Sequence, residues 1–415
     1  MNERGRLWFV NWPLIGLVIL SCVYGSVMVQ SAVSGMAAGP GLFKRHLLGL
    51  ALGLVPLAAA WLFDYRRLTG WVGPLLILDA LLIVSPKIPL LGTTAKGATS
   101  WLAIGGFRLF QPSEPAKLIT IVVMAIVISG YKGKIEEWRD VARVLGILAI
   151  PLGLILLQPD LGTGMVFVAI TAGMLLIGGL SVRWFLILGV SFALLVGTLF
   201  GLNAGLNRAL HRGDYDPAYI AAVNSGSAQQ LNNIRDTSVL IKRYQMNRLL
   251  VFIDPSRDPA SAGYNLEQSK IAIGSGELTG KGLKDQSTQS NLRFLPEPHT
   301  DFIFSVTGEE LGFAGGVALL ALYLALLITS LEIAAQSRDL FGSLIVAGVI
   351  SMWTFQILEN MGMTMGLMPI TGIPLPFMSF GSSFMITNLT AVGMLLSVWT
   401  RRQGVPGMTS LGENR

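Results

Sequence analysis

The chain has 415 residues, 52% of them hydrophobic and only 13% charged. Soluble domains carry about 25% charged residues, so the composition excludes a protein that is soluble over most of its length. The net charge of +6 matches the excess of Lys and Arg on the cytoplasmic side of membrane proteins and calls for no nucleic-acid partner. Outer basic residues stay open to anionic headgroups or another anion.

A spanning helix needs about 20 mostly apolar residues. In chain order such stretches fall at 12–32, 47–63, 72–88, 115–130, 143–158, 163–180, 184–203, 302–331, 340–362 and 380–400. They predict an all-α integral membrane protein of about ten spans, forming a single membrane domain over 1–415. No small-residue cleavage site follows the first stretch, so it reads as a retained helix. The single cysteine, Cys22, lies within it and reads as a packing residue.

Lys and Arg in the short loops set the orientation. One side receives Arg4, Arg6, Arg66, Arg67, Lys132, Lys134, Arg139, Arg143, Arg183, Arg338, Arg401 and Arg402. The other receives only Lys44, Arg45, Lys87, Lys96, Arg108 and Lys117. Both termini are therefore predicted cytoplasmic, with 204–300 as a large outer loop between the seventh and eighth spans. No internal repeat is evident, which lowers a transporter reading.

Three segments rich in polar residues, Gly or Pro fall on the predicted outer side: 87–114, 204–300 and 362–381. Irregular backbone at membrane depth is tolerated against protein or a water-filled cavity, so a shared outward cavity is expected. Within 204–300 the first part reads as flexible or locally helical. The part at 264–283 carries a helical pattern at Leu266, Ile271 and Ile273, then a glycine-rich turn.

The densest ionisable cluster is Glu297 to Asp301, just ahead of the eighth span. Asp301 reads equally as a first-turn acid stabilised by the helix dipole or as a general base, with Glu297 and His299 as neighbours that could tune it. Glu114 and Lys117, at i and i+3, would share a helix face; a plain ion pair is the simpler reading, and a cation for a charged leaving group the sharper one. Arg108 is a second candidate cation. Trp101 is either a sugar platform or a headgroup anchor. Asp160 reads as structural, and Glu359 and Asn360 as intramembrane polar residues whose partner the sequence does not name.

The strings GATSWLAIGGFRLFQPSEPAKL, LLQPDLGTGMV, YNLEQSKIAIGSGELTGKGL, FLPEPHTDFIFSVTGEELGF and GLMPITGIPLPFMSFGSS resemble the SEDS family (shape, elongation, division and sporulation) in the family's own order. Tyr264-Asn265 and the IAIGSG wording are closer to its elongation members than to its division members. Two positions depart: Glu277 stands where the family usually has Gly, and Pro115 falls inside QPSEPAK.

The resemblance implies a peptidoglycan glycosyltransferase that polymerises lipid II on the outer face of the bacterial cytoplasmic membrane. Asp301 would be the essential aspartate of the HTDF motif, Trp101 the family's loop tryptophan and Lys117 its motif lysine. An α-linked pyrophosphate becomes a β-1,4 linkage, so one inverting displacement is expected. Asp301 would be the base, and Lys117 and Arg108 would face the leaving pyrophosphate, where a divalent metal could assist. No cofactor is called for with certainty. The implied partners are a class B penicillin-binding protein and other membrane proteins of the elongation complex. A lipid II flippase and a non-catalytic scaffold are the rival readings.

Overall fold

The computed structural model describes residues 10–88, 92–95, 98–104, 107–158, 160–212, 243–254 and 262–402. It gives the backbone alone at 93–95, 98–100, 103–104, 107–109, 243–244 and 247. The polar stretch 213–242, read above as flexible or locally helical, lies outside the described residues.

Every stretch predicted to span is helical: α1 (Trp12–Ala32), α2 (Gly39–Leu62), α3 (Val72–Val84), α4 (Ser113–Ser129), α5 (Trp138–Leu156), α6 (Leu161–Ile177) and α7 (Val182–Ala209), then α10 (Ile303–Ala335), α11 (Leu340–Met365) and α12 (Ser382–Thr400). Six of them, α1, α2, α7, α10, α11 and α12, are long and apolar enough to cross a membrane. Helix α2 starts well before residue 47, with Pro40 in its first turn, where a missing N–H costs nothing.

Between α7 and α10 lie α8 (Arg243–Ile253) and α9 (Ala262–Ser275). The inner face of α9 is Gly263, Leu266, Ser269 and Ala272. Leu266 was expected there, but Ile271 is exposed.

The segment 87–114, read from sequence as irregular, contains a small antiparallel sheet of order β1-β2-β3: β1 (Gly92–Ala95), β2 (Ala98–Ile104) and β3 (Phe107–Phe110). The body around it remains helical.

The core centres on α4, α11 and α12, the helices with the largest buried share. Trp353 of α11 donates to Asn388 Oδ1 of α12 at 2.7 Å, and Tyr323 of α10 donates to Pro376 O at 2.5 Å. Buried indole and phenol groups need such partners. The first bond joins α11 to α12, and the second ties the irregular segment 366–381 to α10.

Helix α10 is kinked at Gly312, whose φ is 65°. There the 277–282 backbone stands in for the interrupted helix ladder: Phe313 N donates to Glu277 O at 2.8 Å, Ala314 N to Leu278 O, and Lys281 N to Glu309 O. The kink thus has an identifiable cause, an inserted segment. A Cβ at Gly312 would run into the Leu278 and Gly280 backbones. Glu277, the departure from the family's glycine, takes a left-handed φ of 49°.

Candidate active site

Asp301 sits in the turn that leads into α10, and its backbone is clamped from one side. Phe380 N donates to His299 O at 2.8 Å. Ser379 Oγ donates to Thr300 O at 2.7 Å. Asn360 Nδ2 of α11 donates to Asp301 O at 2.9 Å. Three consecutive carbonyls are therefore held by groups from α11 and the 366–381 segment. Ser379 Oγ in turn accepts from Leu375 N at 2.8 Å, so the clamp is itself fixed.

The Asn360 amide also donates to Ile373 O at 2.8 Å, tying the Asp301 turn to residues 371–373. This short rail backs the carboxylate: a Cβ built on Gly372 would lie 3.2 Å from Asp301 Oδ2. Thr371 Oγ1 donates to Glu359 Oε1 at 2.5 Å. Arg248 Nη1 of α8 donates to Thr371 O at 2.6 Å. On the far side α6 approaches closely, because a Cβ on Gly162 would lie 3.2 Å from Thr371 O. Asp160 caps α6 and accepts from Thr163 N at 3.0 Å, in line with the structural role read for it.

Its predicted neighbours sit apart in role. Glu297 is exposed, with φ of 47°, and its Oε2 accepts from Thr300 Oγ1 at 3.2 Å. It shapes the turn ahead of Asp301. The His299 ring packs 5.3 Å from the Phe380 ring, and Phe380 also stacks on buried His46 at 6.5 Å.

Glu114 and Lys117 lie in the first turns of α4 at 4% and 3% exposure. Lys117 Nζ is 2.9 Å from Glu114 Oε1 and 2.9 Å from Oε2, and 5.5 Å from the centre of the Phe384 ring on α12. Just ahead of α4, Gln111 N donates to Ser383 Oγ at 3.0 Å. The pair thus belongs to the wall where α4 meets the start of α12. Pro115 lies in the first turn of α4, where proline is tolerated. Trp101 is half-buried on β2 opposite Thr93. Arg108 is on β3 opposite Ala103, and its side chain lies outside the described residues. Among the described residues, no three His, Cys, Asp or Glu side chains converge to hold a metal ion.

One residue of the site, Arg248, escaped the sequence reading, as did the partner of a second. Arg248 gave no signal because its contact, Thr371, is 123 residues away in the chain. Asn360 was noticed, but its partner Asp301 is 59 residues away in the chain.

A family model described as cell cycle protein, FtsW/RodA/SpoVE, matches residues 9–404. FtsW of Geobacter sp. (strain M18) is 34% identical over 397 residues, covering 94% of this chain and 96% of the relative. The peptidoglycan glycosyltransferase MrdB of Escherichia coli (strain K12) is 33% identical over 391 residues, covering 94% of each. Among solved structures, a chain of a peptidoglycan synthase complex, described as coordinating polymerization and crosslinking, superposes with a TM-score of 0.71 at 29% identity; the match covers 95% of this chain and 99% of that one. The clamped aspartate turn and the helical body that carries it are therefore those of a member of the FtsW/RodA/SpoVE family, the SEDS family, to which this chain belongs.

Proposed function

We infer that the chain is a peptidoglycan glycosyltransferase that polymerises lipid II at the outer face of the bacterial cytoplasmic membrane. The observation that carries the reading is the Asp301 carboxylate, set over Gly372 by a backbone whose carbonyls are held one after another. A base must be within reach of its proton and held there, and this turn is built to do that.

In the proposed step the 4-hydroxyl of the acceptor sugar attacks the anomeric carbon of the donor. The new C–O bond forms as the bond to pyrophosphate breaks, with inversion. Asp301 takes the hydroxyl proton, and undecaprenyl pyrophosphate leaves as an anion. Such a leaving group needs cations more than an acid, a part suited to Lys117 and Arg108.

The elongation role rests on the Tyr264-Asn265 and IAIGSG wording, since the FtsW and MrdB relatives are almost equally similar. A class B penicillin-binding protein is the proposed partner, in line with the synthase complex that the fold matches.

The test uses purified protein with fluorescent lipid II in detergent. Asp301→Asn should abolish glycan growth, a loss of at least about 100-fold. Normal polymerisation by that variant would sink the assignment, and lipid translocation by an inactive wild type would favour a flippase.

A further inference from the structure

Arg248 has no part in the mechanism above, yet it reaches the same rail as Asp301. Helix α8 carries it, and the helix is seated by Val251, which is fully buried. Its Nη1 donates to Thr371 O at 2.6 Å. A Cβ on Gly372 would lie 3.2 Å from Asp301 Oδ2 and 3.8 Å from Arg248 Nη1, so the carboxylate and the guanidinium converge on one face of that glycine. The hydroxyl of Thr371 goes instead to Glu359, buried at 2% exposure. Both groups of the threonine are thereby committed, and the guanidinium is held in place.

We propose that Arg248 is a positioning residue for the transfer: hooked on Thr371, its guanidinium fixes the direction in which the Asp301 carboxylate meets the acceptor hydroxyl. A guanidinium suits this task because its planar fork presents five donors and can serve a carbonyl and a carboxylate together, whereas a lysine ammonium is a mobile point charge. Displacing a reacting group by about 1 Å costs about 100-fold in rate. The inference rests on Asp301 being the base.

The experiment measures kcat and KM for lipid II polymerisation by the full-length protein, with melting temperatures in parallel. Arg248→Ala should lower kcat about 100-fold with KM little changed. Millimolar guanidinium should restore part of that rate, but none in Asp301→Ala. Arg248→Lys should keep the wild-type melting temperature and still lose kcat.

A wild-type kcat in Arg248→Ala overturns the proposal. So does a loss that guanidinium leaves untouched in a variant that melts normally, and so does a rise in KM alone, which would make Arg248 a substrate-binding group. If Arg248→Ala melts early, Arg248→Lys decides, and an unchanged kcat there overturns the proposal. An active Asp301→Asn would instead remove the Asp301 reading itself, which separates the two failures.

Discussion

Gly372 shows how little freedom the site allows a single residue. Its φ of 77° is a region where a side chain costs about 1–3 kcal/mol, and a Cβ would press on Asp301 Oδ2 at 3.2 Å. Gly372→Ala should therefore lower the polymerisation rate by about 100-fold while the melting temperature falls only modestly. A drop in stability with no drop in rate would mean that the rail does not aim the carboxylate.

The Glu114–Lys117 pair offers a sharper separation of roles. Removing one partner of a buried pair costs about 3–5 kcal/mol, because the other charge is left uncompensated. Lys117→Met should be strongly destabilised, and Lys117→Met with Glu114→Gln should recover most of the loss. If Lys117 faces the leaving pyrophosphate, the recovered double variant stays inactive; if the pair is only structural, activity returns with stability. Sequence reading reached Asp301 and this pair because each lies in a short string with its neighbours. It could not reach Arg248, whose contact to Thr371 spans 123 residues of chain and has no local pattern.

At the scale of elements, the kink of α10 and the loop before it form one unit. The Glu309 carboxylate takes Lys281 Nζ at 2.6 Å and Gln289 N at 2.9 Å to each oxygen, while its backbone oxygen takes Lys281 N. One buried acid thus pins the segment that delivers the Asp301 turn. Hydrogen bonds to a charged group contribute about 1.5–3 kcal/mol each. Glu309→Gln should speed hydrogen exchange at the 281–289 amides by about 30-fold, the equivalent of about 2 kcal/mol, and leave α12 unchanged. Equal acceleration in α12 would show global loosening instead. Helices were legible because apolar runs of this length admit few other structures. The sheet was not: β1 and β3 have only four residues each, too short for an alternating pattern to stand out from Gly- and Pro-rich surroundings.

For the molecule as a whole, the charges that predict orientation also gather in space. The turn Tyr65–Leu68, the start of α11 and the end of α12 meet at one end: Tyr65 Oη donates to Asp339 Oδ2 at 3.0 Å, and Arg401 Nε lies 3.7 Å from Asp64 Oδ1. The Asp301 turn lies before the other end of α10. Beyond the Gly312 kink that helix continues to Ala335, about 35 Å of rise against a hydrocarbon core of about 30 Å, so the kink and the far end must emerge on opposite sides of a membrane it crosses. Only the sign is left to fix, and the basic end predicts that Gln336 faces the cytoplasm and Ser287 the outside. In a Cys22→Ser background, Ser287→Cys should react with a membrane-impermeant maleimide on intact cells, and Gln336→Cys only after lysis. The reverse pattern would turn the molecule over and put Asp301 on the cytoplasmic side, where a polymerase of exported glycan could not work.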